Sequence, residues 1–395
     1  MRVQKKHDKP VLSPKMIELL DELTAIMANK RVEAKYDEAI ASVQPVIDGK
    51  PNVWCKSSKE SFVQYFRCWF LFLPHPDDGL GFIVPFTHFY RDNPTAIEFL
   101  NSFKSSKVKN REETTEIFNW TLAFIKERGE FMDSEESLFG IQDWTKNPDT
   151  KIDDFVVPPR GFRSFNDFFT RSLKSPSKSR PISDPKDSSI VVAPADSEIN
   201  WIQSQLTLNT PLSVKTRYLN ISELLAGSKH AQKFVGGTAI SCVLMPNNYH
   251  RFHSPVDGNV VESQEVKGMY FGITDGQHWF NKGNIGEGTT DFSVFEDFHR
   301  AYYVIDTVNH GYVAMIAVGL NTISSIHSSL VSDKEVIGAT GEQPVLVQKG
   351  KELGYFAYGG SLNILLFQEG TLKSLSVLMG QRIGRMQKIH VNEGT

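Results

Sequence analysis

One serine near the C-terminal end of the chain has a context that could support self-cleavage. Ser361 follows Gly359 and Gly360 and precedes an apolar run over residues 362–367. Glycine adopts backbone angles that other residues avoid, so the Gly360–Ser361 peptide could sit in a strained turn. A hydroxyl held against the carbonyl of the preceding residue can attack it. The pattern therefore indicates a chain that could break its own backbone and convert the serine into a cofactor.

Two further clusters carry side chains that could activate this hydroxyl. His250 and His253 lie three residues apart, and Asp196 stands in a Pro-Ala-Asp turn after a predicted strand. Asp196, a histidine and Ser361 would form a relay in which the carboxylate orients the imidazole and the imidazole takes the serine proton. Each signal alone is also common in structural roles. No third ligand lies near the two histidines in the sequence, so we expect no metal site.

The composition bounds the class of protein. The 395 residues are 40% hydrophobic and 23% charged, which is typical of a globular chain with a sizeable core. A net charge of −3 gives no reason to expect nucleic acid as a partner. The most apolar segment, 62–73, is interrupted by Gln64 and Arg67 and is shorter than the roughly 20 residues of a membrane span. We therefore expect a soluble, cytoplasmic protein without an integral membrane segment.

Hydrophobic periodicity predicts a helical first third. Ser13-Pro14 is a typical helix start, and an apolar pattern that begins near residue 117 predicts another helix that Gly129 would end. Within this part, one aromatic stripe at helical spacing is typical of core packing. The stripe consists of Phe62, Phe66, Trp69 and Phe70.

From residue 190 onward, short β-type runs alternate with Gly, Asn and Asp. The runs are 190–193, 239–244, 302–305, 312–318 and 345–347. The predicted fold class is α+β, with an antiparallel β-rich domain. We expect a helical accessory domain over 1–150, a linker with a short helix over 151–189, and the β-rich catalytic domain over 190–395.

Several of these segments, in this order and spacing, resemble the phosphatidylserine decarboxylase family of pyruvoyl-dependent enzymes. The resemblance covers residues 160–395. It rests on Phe168-Phe-Thr-Arg171, Arg180-Pro181, Ala193-Pro-Ala-Asp196, Tyr249-His-Arg-Phe-His253, residues 313–319, and Lys349-Gly-x-Glu-Leu-Gly354 leading to Gly359-Gly-Ser361. The helical first third resembles the extra N-terminal domain of a soluble branch that includes L-tryptophan decarboxylase.

The resemblance implies that the chain is a zymogen that cleaves itself between Gly360 and Ser361. An ester would replace the amide, and elimination and hydrolysis would leave a pyruvoyl group on the fragment 361–395. In the family pattern, Asp196 and His253 activate the serine, and His250 would serve decarboxylation or reprotonation in the mature enzyme. The pyruvoyl group would form a Schiff base with the substrate amine and act as an electron sink, so pyridoxal phosphate is not expected.

The sequence indicates the class of reaction more strongly than it indicates the substrate. Departures from lipid-acting members, at residues 295–301 and at Leu362 after the serine, favour a soluble aromatic L-amino acid. Phosphatidylserine, converted to phosphatidylethanolamine, is the alternative. Arg251, His299 and Arg300 are candidate partners for a substrate carboxylate or phosphate. Residues 1–150 could cover the pocket, set amine specificity or mediate a homodimer.

Two hypotheses of other classes stay open at this point. The first is a serine hydrolase that uses Ser361, His253 and Asp196 without backbone cleavage. It lacks the Gly-x-Ser-x-Gly elbow that such enzymes place around the nucleophile. The second is a binding domain without catalytic activity that has kept the β fold.

Overall fold

The structure, a computed structural model, describes residues 9–47, 50–76, 81–82, 85–86, 89, 93, 95–96, 116–211, 218–268, 299–319, 326–358, 361–381 and 383–384. Its longer helices are Pro14–Met27, Lys30–Ala41, Lys59–Phe70 and Glu116–Met132. Shorter helices are Ile141–Lys146, Phe165–Phe169, Pro176–Ser179 and Ile221–Leu224. Single 3₁₀ turns are Glu135–Leu138, Pro148–Thr150, Ile152–Asp154 and Ala231–Phe234.

The sequence predicted where one helix starts and where another ends, and the structure confirms only the first of these positions. Ser13 caps the helix Pro14–Met27, because its Oγ accepts a hydrogen bond from the Met16 amide at 3.1 Å, which confirms the predicted start. The predicted end at Gly129 is wrong, since that helix continues to Met132. Met132 is fully buried. Burial of the last turn outweighs the roughly 1 kcal/mol that a glycine costs inside a helix.

The predicted aromatic stripe lies in a helical core. Phe62 stacks on Trp54 with ring centroids 4.3 Å apart, and Phe66 meets Trp120 edge-on at 4.7 Å. The same core takes in the helix Phe165–Phe169 and Tyr358. The helical region and the chain just before Ser361 therefore pack together.

The strands, in chain order, are β1 (Val46–Ile47), β2 (Lys50–Pro51), β3 (Glu198–Ser204), β4 (Asn209–Pro211), β5 (Tyr218–Asn220), β6 (Thr238–Leu244), β7 (Arg251–His253), β8 (Gly258–Val266), β9 (Arg300–Asp306), β10 (Tyr312–Gly319), β11 (Ile326–Ser328), β12 (Leu330–Val331), β13 (Lys334–Glu335), β14 (Val345–Val347), β15 (Glu352–Phe356) and β16 (Ser361–Phe367). A seven-stranded antiparallel sheet has the order β14-β8-β9-β10-β16-β6-β3, and a three-stranded sheet has the order β11-β15-β7. Two-stranded pairs join β1 to β2, β4 to β5 and β12 to β13.

The predicted α+β class with an antiparallel β-rich part is confirmed. Four of the five predicted β runs lie in β6, β9, β10 and β14. The strand predicted over 190–193 is wrong, since this segment runs as coil, in which the Ile190 amide donates to the Asp187 carbonyl and the Val192 amide to the Pro255 carbonyl. Pro194 follows directly and cannot donate to a ladder, which opposes a continuous strand here. The domain boundaries at 150 and 189 stay predictions.

The central strand β16 separates two cores. Leu362 and Leu366 pack into the core on one face of the seven-stranded sheet, and Leu365 and Phe367 pack into the core on the other. Side chains alternate along a strand, so Ser361 lies on the same face as Leu365 and Phe367. We call this the serine face. The three-stranded sheet packs against it through Phe252 and Phe356, among others.

Across the described ranges, no helix has both the length and the apolar composition needed to cross a bilayer.

Candidate active site

Ser361 is the first residue of β16 and is fully buried. It is in register with Leu244 of β6 on one side and with Gly319 of β10 on the other. A central strand paired on both sides fixes the direction of the serine side chain. Gly359 and Gly360 lie outside the described residues, so cleavage after Gly360 stays a prediction.

His250 is the histidine that contacts Ser361. Its Nδ1 lies 2.9 Å from the Ser361 Oγ, and its Nε2 lies 3.4 Å from the carbonyl oxygen of Pro246. A carbonyl can only accept, so the network assigns the ring proton to Nε2 and leaves Nδ1 to accept from the serine hydroxyl. The imidazole also stacks on Phe169, with ring centroids 3.6 Å apart. His250 is therefore held in the orientation of a proton acceptor.

The environment keeps His250 uncharged. Burial lowers its pKa to about 3, and the nearby Arg171 guanidinium acts in the same direction. An imidazole with this pKa is neutral at pH 7, the form that can take a proton from a hydroxyl. Burial and hydrogen bonding thus agree that the ring is neutral, with Nδ1 as the accepting atom.

Arg171 holds the loop that leads into His250. Its Nη2 donates to the carbonyl oxygens of Asn247 at 2.9 Å and Asn248 at 3.1 Å. The guanidinium lies over the Phe155 ring, 4.2 Å from the centroid. In the sequence, Arg171 stood out only as part of the Phe-Phe-Thr-Arg motif, without a role of its own. The structure shows that it connects the helix Phe165–Phe169 to the histidine loop.

His253 is not in hydrogen-bond contact with Ser361. Its Nδ1 lies 2.8 Å from the carbonyl oxygen of Gly350, and its Nε2 lies 3.2 Å from the Tyr249 hydroxyl. Burial lowers the pKa of His253 as well. The expected serine–His253 contact is therefore not formed among the described residues.

Asp196 is paired with Arg180 instead of a histidine. Its two carboxylate oxygens accept from Arg180 Nε and Nη2, each at 2.7 Å. Asp196 and His253 nevertheless line one cavity of about 820 Å³, whose walls come largely from residues 173–196. The structure places these two residues near each other but does not join them to Ser361. Their expected roles stay predictions.

The three candidate substrate partners lie in different places. Arg251 is committed to neighbours, since it donates to Glu352 Oε1 and to the Thr170 carbonyl, each at 2.9 Å. Arg300 points to the face opposite Ser361, where its Nε donates to the Leu224 carbonyl at 2.9 Å. The structure thus brings neither arginine to the serine, because both guanidiniums are held by other groups.

His299 lies closer to the site. Its carbonyl accepts from the Gly319 amide at 3.0 Å, and Gly319 is the register partner of Ser361. Its ring Nε2 lies 3.1 Å from Glu265 Oε1. Only a residue without a side chain separates His299 from Ser361 across the sheet. Of the three candidates, His299 is the one whose position suits contact with a substrate.

Asn166 connects the helical region to the chain before Ser361. Its Oδ1 accepts from the Tyr358 amide at 2.9 Å, and its Nδ2 donates to Asp133 Oδ1 at 2.9 Å. Its only sequence signal was a polar residue inside an aromatic segment. Across the part of the chain that the structure describes, no group of three His, Cys, Asp or Glu side chains could hold a metal ion.

Comparison with known proteins gives one consistent family. The family model described as phosphatidylserine decarboxylase matches residues 165–389. Phosphatidylserine decarboxylase proenzyme 3 of Schizosaccharomyces pombe is 31% identical over 302 residues, which cover 73% of this chain and 28% of that protein. The proenzyme of Clostridium perfringens is 28% identical over 286 residues, 70% of this chain and 86% of that protein. Proenzyme 2 of Oryza sativa is 29% identical over 250 residues, 63% of this chain and 36% of that protein.

The chain therefore spans about a quarter of the fission yeast protein and most of the clostridial one. The L-tryptophan decarboxylase branch has no support in these matches and stays a prediction. The family model covers more than half of the 395 residues and includes Ser361 and His250. The chain belongs to the phosphatidylserine decarboxylase family, whose members are pyruvoyl-dependent carboxy-lyases.

Proposed function

We propose that this chain is a self-processing, pyruvoyl-dependent decarboxylase that acts on phosphatidylserine. Family membership gives the class of reaction. The observation that carries self-processing is the 2.9 Å contact between the Ser361 hydroxyl and a neutral His250. A pyruvoyl group fits this position, because its precursor serine is buried at the start of a central strand and already faces a proton acceptor.

Self-cleavage would begin at the Ser361 hydroxyl. His250 takes the proton while Oγ bonds to the carbonyl carbon of Gly360; the C–N bond between Gly360 and Ser361 then breaks, and the departing nitrogen takes up that proton from His250. Elimination then removes the α-hydrogen of residue 361 and releases Gly360 as a carboxylate. Water displaces the nitrogen as ammonia, so residue 361 begins the fragment 361–395 as a ketone.

The pyruvoyl ketone supplies an electrophile for the substrate amine and an electron sink for the pair left behind by CO₂. After cleavage His250 would remain beside residue 361, where its Nδ1 can accept a proton and return it to the reacting carbon. Its stacking on Phe169 keeps the ring in place through both stages. One imidazole would thus serve maturation and turnover.

The resemblance gives the activation of Ser361 to His253 and Asp196, whereas the geometry favours His250. Activation by His253 would require its ring to leave the Gly350 carbonyl and the Tyr249 hydroxyl. The hydrogen bonds of His250 need no such rearrangement. The two assignments predict opposite results for single substitutions.

The names of the relatives support phosphatidylserine as the substrate. Each relative reported above is named for this lipid, and none of those three is named for an aromatic amino acid. A serine phospholipid is therefore better supported than the free aromatic amino acid expected from the sequence. The cytoplasmic location, the homodimer and the lack of a nucleic-acid partner stay predictions.

The test is CO₂ release by the purified full chain. We expect release from phosphatidylserine vesicles and little from tryptophan, phenylalanine, tyrosine or serine. Release from an aromatic amino acid alone would keep the class of reaction and overturn the substrate. An intact chain that a fluorophosphonate labels at Ser361 would support the serine-hydrolase hypothesis instead.

A further inference from the structure

Asn363 is a buried polar residue beside the proposed reaction centre. It lies two residues after Ser361 on β16 and is fully buried. Neither its Oδ1 nor its Nδ2 has a hydrogen-bond partner among the residues that the structure describes. Buried carboxamides without partners are rare because they lose their hydrogen bonds to water on folding. Such a side chain is suited to a ligand that arrives later.

Asn363 and Ser361 share the serine face. Residues two apart on a strand point the same way, about 7 Å apart along it. The register partners of Asn363 are Cys242 and Ala317, and Ala301 follows across the sheet. The next row on this face carries the larger Tyr303, Met315 and Leu365. The side chains in the same row as Asn363 are thus small, and those of the next row are large.

The position of Asn363 points to the substrate rather than to self-cleavage. Gly360 precedes Ser361, whereas Asn363 lies in the opposite direction along the chain. Cleavage makes residue 361 a chain end, so a molecule bound there can extend over the serine face. The Asn363 carboxamide would then be the first polar group along β16 on that face.

We propose that Asn363 Nδ2 donates a hydrogen bond to the α-carboxylate of the substrate bound at residue 361. This inference rests on the proposed function. A carboxylate only accepts hydrogen bonds, and a carboxamide donates without adding charge. A cation in the same place would bind the departing carboxylate more tightly and would oppose its loss as neutral CO₂. The guanidiniums of Arg171 and Arg251 are held elsewhere, Arg171 by backbone carbonyls and Arg251 by Glu352.

The test compares a ligand that has the carboxylate with one that lacks it. Asn363→Leu keeps the approximate size and removes the amide. We expect the KM for phosphatidylserine to rise about 10- to 100-fold, the loss typical of a hydrogen bond to a charged group. Inhibition by phosphatidylethanolamine, the product without the carboxylate, should not change. The 361–395 fragment should form as in the wild type and react equally with phenylhydrazine, which reports the ketone.

Ser241→Ala is the matched control. Ser241 is also fully buried, and its hydroxyl has no hydrogen-bond partner in the described part of the chain, but it pairs with Ile364 on the opposite face of the same sheet. Its KM should match the wild type. If Asn363→Leu fails to mature, Asn363→Asp keeps the shape and places an acidic group beside the substrate carboxylate. That variant should also raise the KM without changing product inhibition.

Turnover of phosphatidylserine by the wild type distinguishes failure of the proposed function from failure of the proposed role of Asn363. No CO₂ from phosphatidylserine with the wild type would overturn the proposed function. With wild-type turnover established, an unchanged KM in Asn363→Leu overturns the role of Asn363 alone. An equal weakening of substrate and product binding would also overturn it, because the carboxylate would then make no difference.

Discussion

The backbone amide of Tyr358 donates a hydrogen bond to Asn166 Oδ1 over 2.9 Å, three residues before Ser361. Asn166 is held in turn by Asp133, just after the helix Glu116–Met132. The Tyr358 ring meets Phe165 edge-on, with centroids 5.3 Å apart. The helix Phe165–Phe169 therefore holds the chain three residues before Ser361, and Asp133 connects this helix to the end of the helix Glu116–Met132.

Asn166→Ala should slow maturation. The substitution removes the buried hydrogen bond that the Tyr358 amide donates to the Asn166 side chain, which costs about 1–3 kcal/mol. If the precursor holds this segment for cleavage, the first-order rate of fragment formation should fall about 10-fold, followed on denaturing gels after synthesis. Arg163→Ala, at an exposed position just before the helix Phe165–Phe169 that contains Asn166, should mature normally. A normal rate in a folded Asn166→Ala protein would remove this link from the account.

The two histidines should differ in their effect on cleavage. Loss of a positioned proton acceptor costs about 10²- to 10⁴-fold in rate, so His250→Ala should stay full length for hours. His253→Ala should cleave at a rate within about 10-fold of the wild type, because it loses only structural hydrogen bonds worth roughly 1 kcal/mol each. Gel densitometry of both variants measures these cleavage rates and shows which histidine activates Ser361. Cleaved His250→Ala beside intact His253→Ala would return the role to His253 and Asp196.

Maturation should be insensitive to mild acid. An ordinary histidine is half protonated near about pH 6.5, but burial lowers the pKa of His250 to about 3. Its neutral, proton-accepting form therefore persists as the pH falls, and is lost only as the pH approaches 3. The rate of fragment formation should stay constant from about pH 8 to about pH 5. A rate that halves near pH 6.5 would show that an ordinary, solvent-like imidazole controls cleavage.

Arg300 should matter for stability and not for substrate binding. Its guanidinium is buried on the face opposite Ser361 and donates to the carbonyls of Leu224 and Glu223. Arg300→Met would remove both of these hydrogen bonds and lower the free energy of unfolding by about 2–3 kcal/mol. Denaturant unfolding measures that loss, and the KM of the mature variant should equal the wild-type value. A raised KM with unchanged stability would restore Arg300 to the substrate site.

The chemistry of the site was predictable from the sequence, but the pairing of its members was not. Ser361 stands out through its glycines, and two histidines three apart are visible in any reading of the chain. Which histidine meets the serine depends on Arg171, which holds the carbonyls of residues 247 and 248 from 76 and 77 positions away. Contacts at such separations leave no local pattern.

Strand register explains why the sequence could not show which candidate substrate partner faces the serine. Neighbouring residues on a strand face opposite sides, so at most one of His299 and Arg300 could face the serine. The sequence did not show which, because the register of β9 on β10 is set by long-range pairing. Asn363 could not be singled out from the sequence either. It lies in β16, which is buried on both faces, and such a strand shows no alternation of polar and apolar residues.

The most direct measurement is the intact mass of the freshly purified, active protein. The account predicts two fragments, 1–360 and 361–395, with the smaller one lighter by one ammonia than a serine-initiated peptide and reactive toward phenylhydrazine. Ser361→Ala should give a single full-length mass and no CO₂ release. An active wild-type protein with one unbroken chain and an unmodified Ser361 would contradict the account.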